Sequence, residues 1–110
     1  MYAIAFDLDT ENLRQYYRNA SWENAYADIG RVFARFGFHR HQGSFYLGDE
    51  TTTPVTCVLA VQAASSSHAW LKYCVKDIRM LRIEENVDLY PAFGDVGLPF
   101  DSPPLNPAGA

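Results

Sequence analysis

Residues 5–9 read "AFDLD", an apolar run that ends on two aspartates one residue apart, Asp7 and Asp9. Carboxylates so placed can hold a divalent cation, take a proton as a general base, or attack phosphorus. Further along, His39 and His41 alternate in "FHRHQGSFY", with Arg40 between them and Phe45 and Tyr46 close behind. Arg40 and the later Arg79 can meet a phosphate, and Tyr46 or Phe45 can stack a nucleobase. Together these residue types are compatible with handling a phosphate, which needs charge neutralisation, an aligned nucleophile and a proton for the leaving oxygen. Each also has an ordinary structural use. Asp9 suits a helix cap, the histidines suit a polar strand edge, and Arg79 suits an ion pair with Asp77 or Glu84. His68, near a helix start, is read as structural.

The elements that must position these groups follow from periodicity. In residues 2–7, Tyr2, Ile4 and Phe6 point one way and Ala3, Ala5 and Asp7 the other, so the large face takes a helix and the small face lets another backbone or subunit approach. Residues 10–18 read as a helix capped by Asp9 or Thr10. "NAS" at 19–21 interrupts it, and Ser21 is placed to cap a second helix. There Trp22, Ala25, Tyr26, Ile29, Val32, Phe33 and Phe36 recur at helical spacing until Gly37. "FHRHQGSFYLGDE" reads as one bent strand or two short ones, with Gly43 at the bend, Phe45 and Leu47 on one face, and Ser44 and Tyr46 on the other. Thr53-Pro54 starts a helix to about residue 64, which "SSS" at 65–67 should break, before a short helix around Trp70 to Val75. Residues 78–84 read as a last strand whose alternation slips at Met80-Leu81, as a bulge or burial on both faces would require. The predicted order is two strand–helix–strand units around an antiparallel sheet, the ferredoxin-like βαββαβ arrangement of an α+β domain with extra short helices. One sheet face is then covered and the other asks for a partner.

Composition bounds the rest. The chain has 110 residues, 48% hydrophobic and 15% aromatic, which fits one globular domain. Its net charge of −4 argues against a broad basic coat for nucleic acid. Local basic groups exist, Lys72, Lys76, Arg79 and Arg82 in one and Arg31, Arg35 and Arg40 in another, either of which also reads as a solvated face. Two cysteines, Cys57 and Cys74, without metal-type spacing or a basic leader, read as reduced thiols of a cytoplasmic protein. No apolar run is long enough for a bilayer. Five of the six prolines lie in the last 20 residues, so residues 91–110 read as a Pro-rich tail beyond a domain of residues 1–90.

"FDLDTE" approaches the D-x-D-G-T loop of haloacid-dehalogenase-type phosphatases. It lacks the glycine, and the later lysine and acidic pair do not follow on the strands which that fold needs. A broader resemblance covers about residues 1–90. "MYAIAFDLD", "GSFYLG" and the late stretch Trp70, Val75, Asp77 to Glu85 resemble, in order and spacing, the virulence-associated protein D family, VapD. The resemblance implies a small toxin-type endoribonuclease, whose ferredoxin-like fold is similar to that of the CRISPR-associated spacer-acquisition nuclease. In that relative an aspartate closing the first strand faces its mate across a dimer and is associated with divalent metal. Asp7 matches it, which implies a catalytic Asp7 and a metal site holding Mg²⁺ or another divalent ion, with no organic cofactor. "QGSFY" is similar to the Q-x-S-V-F segment of the same relatives, which implies Gln42 as a substrate contact and Ser44, near Asp7, as a second catalytic residue. The resemblance further implies an RNA substrate and a cognate antitoxin.

RNA carries its own 2′-hydroxyl nucleophile, so a modest site suffices. Two classes of function fit these residues. One is an endoribonuclease with Asp7 at a homodimer interface on the open sheet face, where Ala3 and Ala5 lie and Tyr46 is expected. The other is a non-catalytic dimeric module that binds nucleic acid or protein through that face. In either, Val87 to Phe93 is expected against the dimer edge, with the last dozen residues adding little.

Overall fold

The computed structural model describes residues 1–17 and 21–94. Its elements run β1 (Tyr2–Leu8), α1 (Thr10–Tyr16), α2 (Asn24–Ala34), β2 (Phe38–Gln42), β3 (Phe45–Gly48), α3 (Pro54–Ser67), α4 (Leu71–Cys74) and β4 (Val75–Arg82), followed by a 3-10 turn at Tyr90–Ala92. The fold is α+β: four strands pair antiparallel in the order β2-β3-β1-β4. Each of the two strand–helix–strand units leaves a gap that a strand of the other fills.

Local chemistry accounts for most boundaries. The Asn12 N–H donates to Asp9 Oδ1 at 3.1 Å, so Asp9 caps α1. Thr53 and Thr56 form a reciprocal capping box ahead of Pro54 at the first turn of α3. Gly37, at φ +90°, reverses the chain after α2, and its carbonyl accepts from the Asp49 N–H at 3.0 Å.

Several features differ from the sequence expectation. The first helix, expected to reach residue 18, ends at Tyr16 with Tyr17 extended as its C-cap, and β4 runs from Val75 to Arg82 instead of over residues 78–84. Ser21 makes no side-chain cap: its hydroxyl bonds Glu23 while the backbone passes through a turn, and α2 begins at Asn24. The serine triplet forms the last turn of α3 instead of breaking it, because serine costs a helix only tenths of a kcal/mol, roughly 0.5, and neither Gly nor Pro intervenes. The irregularity of the last strand pair falls at Asp7/Leu8, where Lys76 is the extra residue, while Met80 and Leu81 keep regular register and are exposed on opposite faces of an edge strand.

The core lies between the sheet and the helices. Ile4, Phe6 and Leu8 of β1 meet Ala25, Ile29, Val32 and Phe33 of α2 and Cys57, Ala60 and Ala64 of α3. The large face of β1 therefore takes helices, as its alternation requires. Phe6 stacks on Tyr46 with centroids 5.6 Å apart, and Phe33 meets both edge-on at 6.0 and 5.2 Å. Removing a ring such as Phe33 would cost about 3–5 kcal/mol. Tyr46 corrects the assignment of faces on β3. It pairs with Ile4, while Phe45 and Leu47 pair with Ala5 and Ala3, so Tyr46 lies under the helices and the two apolar neighbours share the open face with Asp7. The shift arises because the Gly43-Ser44 turn and the bulge between Arg40 and Gln42 set the register, which the sequence alternation alone leaves free. Among the described residues no helix is long and apolar enough to cross a membrane.

Candidate functional site on the open sheet face

Pairing of β1 with β4 decides what surrounds Asp7. Ala5 stands opposite Arg79 and Asp7 opposite Asp77. Asp7 is exposed and makes no hydrogen bond or ion pair among the described residues. Arg79 Nε donates to both carboxylate oxygens of Asp77, at 3.0 and 3.1 Å. Of the two ion-pair partners open to Arg79, it takes Asp77, and Glu84 pairs with Arg82 at 3.2 Å. Like charges directly opposite on neighbouring strands are unfavourable, and the guanidinium offsets one of the two. The result is a free carboxylate beside a neutralised one. The Arg79 side chain is exposed and stands opposite Ala5, so its terminal amino groups stay open to solvent.

Asp9 is accounted for structurally: it caps α1, and its own N–H donates to Cys74 O at 2.7 Å. Ser44 sits in the β2–β3 turn, half-buried, and its carbonyl accepts from the Phe6 N–H at 3.2 Å. The hairpin tip is thus tied to the residue before Asp7, which brings Ser44 and Asp7 to the same end of the sheet. Gln42 is exposed opposite Phe45 beside that tip, and the His41 ring lies edge-on to Phe45 at 6.3 Å. His39 is opposite Leu47, one strand further out.

Two candidates lie elsewhere. Arg40 pairs with Tyr46, donates from Nε to Gly43 O at 2.7 Å, and lines a cleft of about 350 Å³ with Tyr26 and Arg31 on the helix side. Tyr46 is only 2% exposed, and its hydroxyl donates to Tyr26 O at 3.2 Å. Burial pushes its phenol up, with the Arg40 charge pulling it back and Tyr26 adding to the rise. No ring face is left on Tyr46 to receive a base, which removes it from the stacking role given to it above. The residue that sequence reasoning passed over is Asp77, noted only as a counter-charge. Its signal was the Asp77/Arg79 spacing of two, which places both on one strand face with Asp7.

Among the described residues no group of three or more His, Cys, Asp or Glu side chains gathers as a metal cage. A single free carboxylate does suit a largely hydrated Mg²⁺, which takes one or two carboxylates and keeps several waters.

No family model matches the chain. Individual proteins do. It is 48% identical over 92 residues to "Endoribonuclease VapD 2" of Riemerella anatipestifer, covering 84% of this chain and 98% of the relative. It is 49% identical over 92 residues to "Endoribonuclease VapD homolog" of Helicobacter pylori, covering 84% and 95%. The "Endoribonuclease VapD" of Haemophilus influenzae is 39% identical over 87 residues, covering 77% and 89%. Such identity over nearly the full length of each relative means that the chain belongs to the VapD endoribonuclease family.

Proposed function

We propose that this protein is a toxin-type endoribonuclease that cleaves RNA with Asp7 as its general base. The carrying observation is the free Asp7 carboxylate opposite the Asp77–Arg79 ion pair on an uncovered sheet face. Asp7 takes the proton of the RNA 2′-hydroxyl, and the oxygen attacks the adjacent phosphorus. The bond from phosphorus to the 5′-oxygen breaks, and that oxygen leaves with a proton from water, giving a 2′,3′-cyclic phosphate and a 5′-hydroxyl. Arg79, held in place by Asp77, stabilises charge on the phosphoryl oxygens as the fifth bond forms. In this reading Ser44 and Gln42, at the hairpin tip, hydrogen-bond the same strand of RNA. Where Mg²⁺ binds, Asp7 would hold it, and it would supply further charge neutralisation at the phosphate.

The site is proposed to work in a ferredoxin-like homodimer joined through the open face, where Phe45, Leu47 and Leu81 surround Ala3 and Ala5. The exposed apolar segment Val87, Leu89, Tyr90 and Phe93 supports a second contact at the dimer edge. It falls at the junction of a domain of about residues 1–90 and the Pro-rich remainder. A cytoplasmic setting, with an antitoxin restraining the enzyme, fits this activity. The test is RNA cleavage by highly purified protein beside Asp7→Asn. A loss of roughly a hundredfold or more is expected. Equal cleavage would return the chain to the reading of a non-catalytic binding module.

A further inference from the structure

The end of the molecule where β1 leaves and β4 enters carries an aromatic surface that the cleavage chemistry does not use. Tyr16 of α1 and Tyr73 of α4 stack with centroids 5.3 Å apart and planes 23° apart, yet remain 41% and 52% exposed. With Trp70 and Ala69 they line an open cleft of about 370 Å³. Trp70 is itself fixed, edge-on to Tyr17 at 4.8 Å and beside His68 at 5.5 Å. The helices that carry the tyrosine pair are tied together: Asn12 Nδ2 donates to Tyr73 O at 2.9 Å, bracing α1 against α4.

Charge singles this surface out. The chain has only two lysines, Lys72 and Lys76, which fall on either side of Tyr73 in the sequence. Lys72 Nζ lies 5.2 Å from the Tyr73 ring centre, and Lys76 is the extra residue bulged out of β4 next to Asp77. Neither makes an ion pair among the described residues, a state shared with Arg35 and Arg40, whereas Arg14, Arg31, Arg79 and Arg82 are paired. Exposed rings interleaved with unpaired cations are the composition of a single-strand nucleic-acid platform, with bases on the rings and phosphates on the ammonium groups. Tyr73 lies in α4 and Asp77 in β4, four residues on, so chain connectivity alone keeps their Cα atoms within about 14 Å of each other.

Building on the reading of the open face as an RNA-cleaving site, we propose that Tyr16 and Tyr73, with Trp70 as side wall, bind an unpaired nucleobase flanking the scissile phosphate, while Lys72 and Lys76 take the intervening backbone. The platform would give the enzyme its grip on single-stranded RNA and leave the chemical step to the strand-end carboxylates.

The probe is a fluorescent 2′-O-methyl RNA decamer, which cannot be cleaved through its 2′-oxygen. Its dissociation constant is read by anisotropy for the full-length protein, Tyr73→Ala, Tyr16→Ala and Tyr73→Phe, with melting curves confirming that each variant folds. The alanine variants should bind roughly tenfold or more weakly, the scale of one lost base stack, and Tyr73→Phe should bind like the parent. An abasic decamer of the same charge should bind the parent and Tyr73→Ala alike. Equal affinity of parent and both alanine variants for the normal decamer would overturn the platform. So would the same loss on the abasic decamer, because that would place the effect on the backbone or on a protein interface. Cleavage of unmodified RNA by the parent is measured separately. Cleavage without a stacking effect would leave the nuclease standing and sink the platform, and a stacking effect without cleavage would do the reverse.

Discussion

Asp7 and Asp77 stand directly opposite each other on adjacent antiparallel strands, and only Asp77 has a cation, Arg79, on its carboxylate. The asymmetry separates the two roles. Asp7→Asn should remove about a hundredfold or more of RNA cleavage, the scale of a lost general base. It should keep or slightly raise the melting temperature, because neutralising one of two facing carboxylates relieves repulsion. Asp9→Asn should retain most activity, since asparagine caps α1 about as well as aspartate. Activity loss confined to the Asp9 variant would mean that the wrong aspartate carries the chemistry.

Asp77→Asn leaves Asp7 intact but loosens Arg79. Cleavage should fall by roughly tenfold, and Arg79→Lys should fall similarly, since a point charge lacks the planar fork that Asp77 orients. Full activity in both variants would remove Arg79 from the site.

The open face leads to a second expectation. Ala3 lies between Leu47 and Leu81, with Ala5 next along the strand. Ala3 is fully buried in the single chain, so the Ala3→Arg variant is first shown to fold by its melting curve; once folded it should be monomeric in sedimentation at tens of micromolar, with lower cleavage if the site needs both protomers. A parent protein that is already monomeric there would exclude the shared site.

How far the site was legible in the sequence varies by element. The parity of β1 placed Ile4 and Phe6 in the core and Asp7 on the other face, because a seven-residue strand with alternating volumes fixes its own orientation. Asp9 as a cap followed from its place before Thr10. Tyr46 was misassigned because its face depends on how many residues the Gly43-Ser44 turn and the neighbouring bulge consume, and one residue reverses every side chain. Asp77 escaped for a related reason. Its meeting with Asp7 is set by the register of β1 against β4, some 70 residues apart and offset by the bulged Lys76, and no local pattern encodes that register.

The chain after β4 leads to two separate expectations. Deleting residues 100–110 should leave the melting temperature within a few degrees, whereas replacing Leu89, Tyr90 and Phe93 together with serine should weaken dimerisation if these rings dock on a second protomer. Unchanged dimerisation in the triple variant would confine the interface to the sheet face.

Gly48, the last residue of β3, should tolerate no side chain. An added Cβ would collide with Thr52 Oγ1 and lie 2.9 Å from Phe38 Cε1. Thr52 cannot yield easily, being buried with its hydroxyl donating to Asp49 O at 2.7 Å. Gly48→Ala should cost about 1–3 kcal/mol in urea unfolding, the range for overpacking a core. A neutral result would show that the β3–α3 connection is looser than its packing indicates.

Cys57 and Cys74 are free, buried thiols in the core beneath β1. Burial pushes both upward in pKa, and for Cys74 the nearby Asp9 charge adds to the rise. A thiol whose folded pKa exceeds its unfolded value stabilises the fold fully below the unfolded value, about 8.5, and loses that contribution as pH rises through the folded value. Urea midpoints should therefore stay level in this respect between about pH 7 and 8 and decline above about pH 9, with the buried Tyr46 phenol adding the same sign at still higher pH. The direct check is alkylation by iodoacetamide at pH 8. Both thiols should react roughly tenfold or more slowly in the native protein than in urea, since the thiolate forms only on opening of the core. Fast labelling of Cys74 alone would show that the α1–α4 end opens locally, and it would relocate the least stable part of the fold to the strand ends beside Asp7.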